Sequence, residues 1–414
     1  MHLRHAIPRP DLLPAGIPEG YAVYQLTREE IPSSHVYMEA QIFTPDSKRF
    51  ILHRSAHPHG SDKDDPEHRY LLCDLEAGGE LIPITDEVGA NAPSVSPDGE
   101  YLYYFVNETE LGGGRLTLKR VRMDGTERET LVVLDAPIPG TPYRPSRMYP
   151  LSTISSDGRR LATSCWLGDG QREEIVNGMI VFDLQSGEVW APLVGPTWGN
   201  LHAQYCRSQD PAAVHDVLVQ EDHDRIYAKD GQQIEQRQDL GIEIHVVRDD
   251  GTNLRNTPWG RDGREFCQGH QCWVGRSSER VITSTTVRPE GIHEIVEGNV
   301  VPHAGHIGIQ SPGGRRNVLS REVPEPQLFH FATDIAGDRF IVDSSPAARD
   351  GEGIYVAHLP QDGSPLQDLT LVARPGATWQ SITHIHPFLS PDGKTGFFNS
   401  DESGVLQAYM VCGW

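Results

Sequence analysis

Apolar residues occur along this chain in short runs, and turn-forming residues separate the runs. Few stretches show the 3.6-residue period of an amphipathic helix. Many runs are instead bordered by Pro-Asp-Gly or Asp-Gly, which favour tight connections between antiparallel strands. One unit recurs: a short run, a turn, an apolar strand, and a further strand that ends in a second turn. The pattern therefore predicts an all-β fold built from repeats.

Seven copies of this unit follow one another at intervals of about 50 to 70 residues. Units of about four antiparallel strands each predict a single seven-bladed β-propeller spanning residues 1–414. No WD dipeptide recurs at a period of about 40 residues, so the WD40 class is not expected. Residues 1–20 are predicted as an N-terminal extension, 21–27 as a strand that closes the ring, and 225–240 as an inserted loop in the fourth unit. The turns lie at or beside Asp46, Asp98, Asp157, Asp210, Ser278, Gly337 and Asp392.

An H-x-H pair, His384 and His386, precedes the last Pro-Asp-Gly turn. In an extended strand these two side chains point to the same face, roughly 6.5–7 Å apart along the chain. That geometry suits two imidazoles on one metal ion. Two partly exposed histidines before a turn are the simpler interpretation of this stretch taken alone.

Further histidines share this position of the repeat. Each lies six or eight residues before its turn, which for His330 begins at Ala336, and even offsets place the side chains on one face of a strand. In a propeller the innermost strand leads into this turn from one mouth of the central channel. Four adjacent units are therefore expected to place histidines at this mouth of the channel. The third unit places a tyrosine at the same position. The residues are His202, His270, His330, His384, His386 and Tyr149.

The formal net charge of −22 argues against general electrostatic binding of nucleic acid or of an anionic membrane. An anionic substrate would need a locally positive pocket, which a bound cation or a few arginines would provide. The first twenty residues lack the apolar core of a secretory signal, and no stretch has the length of a membrane span. Six scattered cysteines are expected as reduced thiols, and the protein as cytoplasmic.

Three histidines and a side-chain amide, which are His330, His384, His386 and Gln380, form a plausible divalent metal site. Neutral ligands leave the charge of the ion uncancelled, so the ion attracts an anionic substrate and acts on it as a Lewis acid. Imidazole suits zinc, nickel, iron and manganese alike. His270 lies outside this set and is the candidate general base, while His202 is a candidate for substrate binding or a second base.

A metal-neutralised carboxylate beside a histidine base suggests removal of the proton α to that carboxylate. On a uronic acid sugar this reaction is a β-elimination, in which the base takes the C5 proton and the C4–O bond breaks. An isomerase, an epimerase or a metal-dependent hydrolase would use the same parts. A sugar-binding propeller without catalytic activity is the alternative from another class.

The chain resembles the oligogalacturonate lyases, polysaccharide lyase family 22. The resemblance rests on GNLHAQYCRSQDP (199–211), EFCQGHQCW (265–273), LFHFATDIAGDRFIVDSS (328–345) and THIHPFLSPDGKTGFFNSDESGVLQAYMV (383–411). It implies a seven-bladed propeller that binds Mn²⁺ through three histidines and a glutamine. It also implies elimination on short pectin fragments in the cytoplasm, giving a 4,5-unsaturated uronate. Matched by motif, His330, His384 and His386 are the ligands and His270 is the base.

Two departures from the family pattern affect the expected site. The family's glutamine aligns with Ser381, so Gln380 would reach the ion through a local bulge. The family's substrate-binding arginine aligns with Glu243, which weakens the expectation of a galacturonate substrate. A lyase for another uronate-containing oligosaccharide is therefore a second expectation, and monomer and homodimer are equally open. Candidate substrate-binding residues are Arg207, Arg237, Arg225, Arg54 and Tyr149.

Overall fold

The structure is a computed structural model of the 414-residue chain. It describes residues 3–54, 56–57, 60–61, 67–169, 171–173, 175–223, 225–236, 241–257, 265–287, 294–296, 299–301, 305–310, 316–318, 328–344, 346, 351–361, 366, 369–379 and 384–414. Over these ranges the regular structure is β-strand, apart from one short 3₁₀ helix at Pro10–Leu12. Within the same ranges, none of the helices has the length and hydropathy of a transmembrane span. All six cysteines are free thiols, as the sequence predicts.

The first part of the chain forms short strands joined by tight turns. In chain order they are β1 Ile7–Pro8, β2 Ala22–Gln25, β3 Ser33–His35, β4 Arg49–Arg54, β5 Ala56–His57, β6 Gly60–Ser61, β7 Arg69–Asp74, β8 Glu80–Pro83, β9 Ala90–Val95, β10 Tyr101–Glu110, β11 Gly113–Arg122, β12 Glu129–Leu134, β13 Arg144–Ile154, β14 Arg160–Gly168, β15 Val176–Asp183 and β16 Val189–Gly195.

The second part continues the same pattern. Its strands are β17 Gln204–Tyr205, β18 Asp216–Asp222, β19 Arg225–Tyr227, β20 Gln233–Gln236, β21 Ile242–Arg248, β22 Arg255–Asn256, β23 Glu265–Trp273, β24 Val281–Val287, β25 Glu294–Val296, β26 Asn299–Val301, β27 Gly305–Gln310, β28 Arg316–Val318, β29 Leu328–Thr333, β30 Arg339–Ser344, β31 Gly353–His358, β32 Thr370–Ala373, β33 Phe388–Leu389, β34 Thr395–Ser400 and β35 Gln407–Cys412.

Neighbouring strands pair antiparallel, and in the four-stranded sheets they follow chain order. Four-stranded sheets are formed by β3-β4-β7-β8, β9-β10-β11-β12, β13-β14-β15-β16 and β29-β30-β31-β32. The fold is therefore an all-β propeller of antiparallel four-stranded blades, as the turn pattern predicts. The faces between the sheets are filled by buried apolar and aromatic side chains, among them Phe50, Tyr104, Phe182, Trp273 and Phe340.

The prediction of seven blades is wrong, because the described residues form six sheets of four or more strands. The strands of the predicted fourth and fifth units lie together in one eight-stranded sheet, β17-β18-β21-β23-β24-β27-β28, with β22 paired to β21. A single backbone pairing of Ile242 with Cys267 joins β21 to β23. The repeat in the sequence marks turns, and turns do not determine whether two successive units also pair at their border.

The two ends of the chain meet in one sheet, β1-β2-β35-β34-β33. Strand β2 lies beside β35, with Val23 opposite Val411, which confirms the predicted closing strand at 21–27. The predicted extension is part of this sheet, because β1 pairs with β2. An ion pair of Arg9 with Glu402 adds a second link between the two ends. The closing strands thus hold in place the sheet that follows His384 and His386.

The inserted loop predicted at 225–240 contains regular structure. Strands β19 and β20 form a two-stranded hairpin within it. Two backbone hydrogen bonds tie the hairpin to the preceding unit, from Ile175 N to Tyr227 O and from Lys229 N to Glu173 O, each 2.8 Å. The residues of this segment are mostly polar, so no apolar run in the sequence indicates its two strands. Arg237 lies outside the described residues.

The closure of the ring depends on close backbone approach at Gly413. A Cβ atom there would lie 2.4 Å from the carbonyl oxygen of Gly20 and 2.5 Å from Cα of Tyr21. We expect Gly413→Ala to lower the free energy of unfolding by at least about 1 kcal/mol more than Gly404→Ala. Both glycines have positive φ, but a Cβ on Gly404 would meet nothing within 4 Å. Urea unfolding measures the difference, and equal losses in the two variants would contradict the packing role.

Candidate metal centre

His384 and His386 do not lie in the extended strand that the sequence predicts. They precede β33 in irregular backbone, and His386 has φ of +47°, in the left-handed region. Their rings nevertheless meet edge to face, with ring centroids 5.3 Å apart. The shared direction therefore results from a local left-handed bend rather than from the alternation of a strand. Such a bend costs a non-glycine residue about 1–2 kcal/mol, and strain of this kind gathers at functional sites.

His330 is the most firmly held of the predicted ligands. It lies on β29, at a register shift between Leu328 and Phe331. Its backbone N and its ring Nδ1 both bond to the carboxylate of Asp343 on β30, at 2.8 Å and 2.9 Å. With Nδ1–H donating to the carboxylate, Nε2 keeps its lone pair for a metal ion. Asp343 was not predicted from the sequence, where its only signal is an acid inside the apolar run RFIVDSS.

Burial controls the protonation of this pair. Burial lowers the pKa of His330 well below its usual range, and the nearby His384 and His202 lower it further. Burial also raises the pKa of Asp343 to about 8, although hydrogen bonds from the backbone of His330 act in the opposite direction. A neutral imidazole is the form that binds a metal, and a cation placed beyond His330 would favour the ionised carboxylate behind it.

Three of the four predicted metal ligands come together. One ring nitrogen of each of His330, His384 and His386 lies within 4.8 Å of the corresponding atoms of the other two. The ring centroid of His330 is 4.3 Å from that of His386 and 5.7 Å from that of His384. His330 and His386 are buried, while His384 is partly exposed. Three converging ring nitrogens fit a divalent cation, which would be held by these residues.

The fourth predicted ligand, Gln380, lies outside the described residues, as does the aligned Ser381. Its role stays a prediction. The segment before it is described up to Trp379, which has φ of +55°. The Trp379 ring centroid is 5.2 Å from that of His384, and its indole N–H donates to Glu352 at 3.0 Å. This indole side chain was missed in the sequence and forms one wall beside the histidines.

His270 lies against the metal centre from the neighbouring sheet. Its ring centroid is 4.5 Å from that of His330. It sits on β23 at a register shift between Cys267 and Gln271, directly after Gly269 with φ of +85°. Burial, and then the imidazoles of His330 and His202, hold the pKa of His270 well below its usual range. Its Nδ1 is buried and has no hydrogen-bond partner among the described residues. His270 is thus a neutral imidazole beside the centre, able to accept a proton.

His202 belongs to a hydrogen-bonded chain that the sequence only partly predicts. Its Nδ1 lies 2.8 Å from Oε2 of Glu39, and its Nε2 lies 3.2 Å from the hydroxyl of Tyr149. Glu39 is buried, and burial raises its pKa although His202 acts against that rise. The ring of Tyr37 links this chain to the centre, with its centroid 5.4 Å from that of His202 and 4.7 Å from that of His386.

Glu39 and Tyr37 were missed, although they flank Met38, the residue at the histidine position of the first unit. An acid inside the run HVYMEAQIF was the available signal. Tyr149 was found at this position of the third unit, and the structure brings it to His202 by a bulged segment of β13. The common repeat position therefore identified the mouth of the channel where the histidines meet. Tyr37 and Glu39, which contact these histidines, lie next to a repeat position rather than at one.

The described contacts of the predicted substrate-binding arginines are away from the three histidines. Arg54 pairs with Glu29 at 3.0 Å on the rim of the first sheet. Arg207 lies at the turn end of the central channel, 3.5 Å from the carbonyl oxygen of Thr333. There it lines a cavity of about 190 Å³ together with turn residues such as Pro97 and Pro391. Neither contact places the guanidinium against the histidines, and Arg225 is an exposed residue of the hairpin.

Left-handed backbone recurs at the histidine level of several sheets. Ala92, His202 and His386 have φ between +47° and +49°, and Gly269 has φ of +85°. Each of these residues lies shortly before the turn of its unit, where the inner segment bends toward the channel. The shared bend explains why side chains from separate sheets meet at one mouth.

Two solved structures share this fold over nearly the whole chain. One is an oligogalacturonate lyase in complex with manganese, 20% identical, covering 98% of this chain and 96% of its own, with a TM-score of 0.69. The other is an oligogalacturonate lyase from Vibrio parahaemolyticus, 18% identical, covering 100% and 97%, with a TM-score of 0.71. The resemblance seen in the sequence is thus confirmed at the level of the fold. No protein-family model matches the chain, and no curated protein matches its sequence.

The contact of His330 with Asp343 generates a prediction for metal affinity. In Asp343→Asn the ring loses its carboxylate, so its tautomer and direction are no longer fixed. We expect the affinity for Mn²⁺ to fall about 10- to 100-fold, measured by calorimetric titration of metal-free protein. Asp183→Asn is the matched control, because this buried carboxylate accepts hydrogen bonds from the backbone N–H groups of Gln185 and Ser186 in its own turn. Unchanged affinity in Asp343→Asn would show that the pair does not orient a ligand.

Proposed function

We propose that the protein is a metal-dependent lyase that cleaves uronate-containing oligosaccharides by β-elimination, as oligogalacturonate lyases do. The observation that carries the proposal is the position of His270, a neutral imidazole 4.5 Å from His330 between ring centroids, beside three converging histidines. A base adjacent to a cation site is the arrangement that removal of a proton α to a carboxylate requires. The shared fold of the two solved lyases supports the same reaction class.

The proposed cation is held by His330, His384 and His386, with Gln380 as the expected fourth ligand, and Mn²⁺ is the first candidate. When bound, it supplies a positive charge that neutralises the uronate carboxylate and stabilises the negative charge that develops beside it. No carboxylate is among the described ligands, so the coordinating side chains themselves leave this charge uncancelled. Such a site would allow a chain with a net charge of −22 to bind an anionic substrate.

His270 takes the C5 proton in the proposed reaction. The electron pair of the C5–H bond forms the C4–C5 double bond, and the pair of the C4–O bond leaves with the glycosidic oxygen. That oxygen then takes up a proton, and the products are a 4,5-unsaturated uronate and a shortened oligosaccharide. A low pKa keeps His270 unprotonated near neutral pH, so the base is available before the substrate arrives.

His202 serves as a substrate-positioning residue in this proposal. Glu39 and Tyr149 hold its ring from two sides, and Tyr37 separates it from His386. Trp379, beside His384, offers an apolar face to a sugar ring. Arg237 remains a candidate for the substrate carboxylate. The described contacts of Arg54 and Arg207 favour a structural role for the first and a channel position for the second.

A panel of substrates tests the reaction class. Metal-loaded protein is incubated with oligomers of galacturonate, guluronate, mannuronate and glucuronate, while absorbance near the ultraviolet edge reports the new double bond. We expect a metal-dependent rise in absorbance with at least one of these oligomers. New reducing ends without the rise in absorbance would identify a hydrolase instead. Binding of an oligomer without any product would indicate a sugar-binding propeller that has no catalytic activity.

The base assignment predicts a separable variant. His270→Ala is expected to lower kcat at least about 100-fold while Mn²⁺ affinity stays within a few-fold of the parent protein. His215→Ala is the control, since His215 lies in the same eight-stranded sheet region and pairs with Asp157 away from the centre. Loss of metal in His270→Ala would assign this residue to the ligand set and overturn its role as base.

The contact of Glu39 with His202 gives a second kinetic prediction. Glu39→Gln keeps the shape of the side chain but weakens its bond to Nδ1, so the ring is less firmly oriented. We expect kcat/KM to fall about 10- to 100-fold, with a larger change in KM than in kcat and no change in Mn²⁺ affinity. Partial recovery in Glu39→Asp would support positioning. Equal kinetics in Glu39→Gln and the parent protein would exclude it.

A further inference from the structure

We propose that the eight-stranded sheet carries a second divalent cation site, formed by Glu221, Glu243 and His245 with His223 at its edge. One ligand atom of each of the first three residues lies within 4.8 Å of those of the other two. The site is separate from the three-histidine centre, with which it shares no residue.

Strand pairing brings these residues to one face. Glu221 on β18 is directly opposite Glu243 on β21. His245 follows two residues after Glu243, so its side chain is on the same side of the strand. His223 comes directly after the end of β18. Carboxylates directly opposite each other repel across an antiparallel pair, and a shared cation converts that repulsion into attraction.

The distances within this cluster match the edges of a metal coordination shell. Nε2 of His245 lies 3.3 Å from Oε2 of Glu221 and 3.8 Å from Oε2 of Glu243. Nε2 of His223 lies 3.7 Å and 3.6 Å from the same two oxygens. With ligands about 2.1 Å from an ion, the edge of a tetrahedron is about 3.4 Å. Four nitrogen–oxygen separations therefore fit neighbouring ligands of one cation.

Three other pairs of histidine with an acid among the described residues have shorter separations. The separation is 2.8 Å for His202 with Glu39 and 2.9 Å for His330 with Asp343. It is 3.1 Å for His215 with Asp157. Hydrogen bonds between nitrogen and oxygen have lengths of about 2.7–3.2 Å. The longer separations around Glu221 leave room for an ion, but a separation of 3.8 Å also occurs between His215 and Asp249, so the convergence of four groups, and not length alone, carries the proposal.

Neighbouring side chains orient the proposed ligands. Nδ1 of His245 lies 3.0 Å from Oδ1 of Asn256. A donor at Nδ1 leaves the lone pair of Nε2 on the side of the two carboxylates. The hydroxyl of Thr197 donates to Oε1 of Glu221, which leaves Oε2 facing both histidines. The ring of Trp198 covers His245, with centroids 5.7 Å apart.

The ligand types indicate a role different from that of the three-histidine centre. Two carboxylates cancel the charge of a divalent ion, whereas the three imidazoles leave it uncancelled. The second ion would therefore fasten the ends of β18 and β21 rather than act as a Lewis acid. Mixed carboxylate and imidazole ligands suit Zn²⁺ and Mn²⁺, and both are suitable probes.

Metal counting in a variant without the first centre tests the proposal. Full-length His384→Ala/His386→Ala protein is stripped with a chelator and titrated with Zn²⁺ and, separately, with Mn²⁺. We expect about one tightly bound ion per chain, and a rise in melting temperature with added metal. Adding Glu221→Gln/Glu243→Gln should lower the affinity at least about tenfold and abolish the rise. Adding Asp157→Asn/His215→Ala instead removes a histidine–acid pair that is in direct contact. This control should leave both the metal affinity and the rise in melting temperature unchanged.

The proposal is overturned if the His384→Ala/His386→Ala protein binds neither ion, or if it binds as well after the two glutamates are replaced. Should the double glutamate variant fail to fold, the single change Glu243→Gln serves, because this side chain is 27% exposed. It must still weaken binding at least about tenfold. None of these measurements uses turnover, so their outcome is independent of whether the proposed lyase reaction occurs.

Discussion

The buried bond between Asp343 and His330 is the interaction on which the candidate centre depends. One carboxylate accepts hydrogen bonds from both the backbone and the ring of His330, at 2.8 Å and 2.9 Å. The position and the tautomer of the imidazole are thus fixed together. The rings of His270, His386 and His384 pack around it. A carboxylate in this environment has a pKa raised to about 8 by burial, so its ionised form requires a nearby positive charge.

The fold supplies this arrangement through bends rather than through regular strands. Left-handed residues at His202 and His386, and a glycine before His270, turn the inner segments of different sheets into one mouth of the channel. Backbone strain of this kind persists only where surrounding packing holds it. The closed sheet of β2, β35, β34 and β33 provides that packing behind His386, and Tyr37 connects His386 to the chain formed by His202 and Glu39.

Turn chemistry made the propeller predictable, because each Pro-Asp-Gly or Asp-Gly marks a connection between antiparallel strands. The same repeat located His270, His330, His384 and His386 at one level, and the structure brings all four together. The two rings of the H-x-H pair share a direction for a reason other than the predicted one, because a left-handed bend replaces the expected strand. The border between the fourth and fifth units was not predictable, because one pairing of Ile242 with Cys267 depends on how neighbouring sheets approach.

The partners of the histidines were the part that the sequence concealed. Asp343 lies on the strand after His330, and Glu39 lies far from His202 along the chain. Both are single acids within apolar runs, and nothing local indicates which imidazole each will meet. Glu221, Glu243 and His245 were likewise invisible as a group, because they meet only through the register of β18 and β21. Residues that are brought together by the pairing of two strands can be recognised as a group only when the register of those strands is known.

The most direct test of the central claim records bound Mn²⁺ and unsaturated product in the same sample. Metal-free protein is titrated with Mn²⁺ in the presence of a uronate oligosaccharide that the parent protein cleaves. Electron spin resonance reports the nitrogen ligands of the bound ion while absorbance reports elimination. The account predicts that the rate of elimination rises with occupancy of a site having three imidazole nitrogens. Full elimination without bound metal, or bound Mn²⁺ with no imidazole ligands, would contradict it.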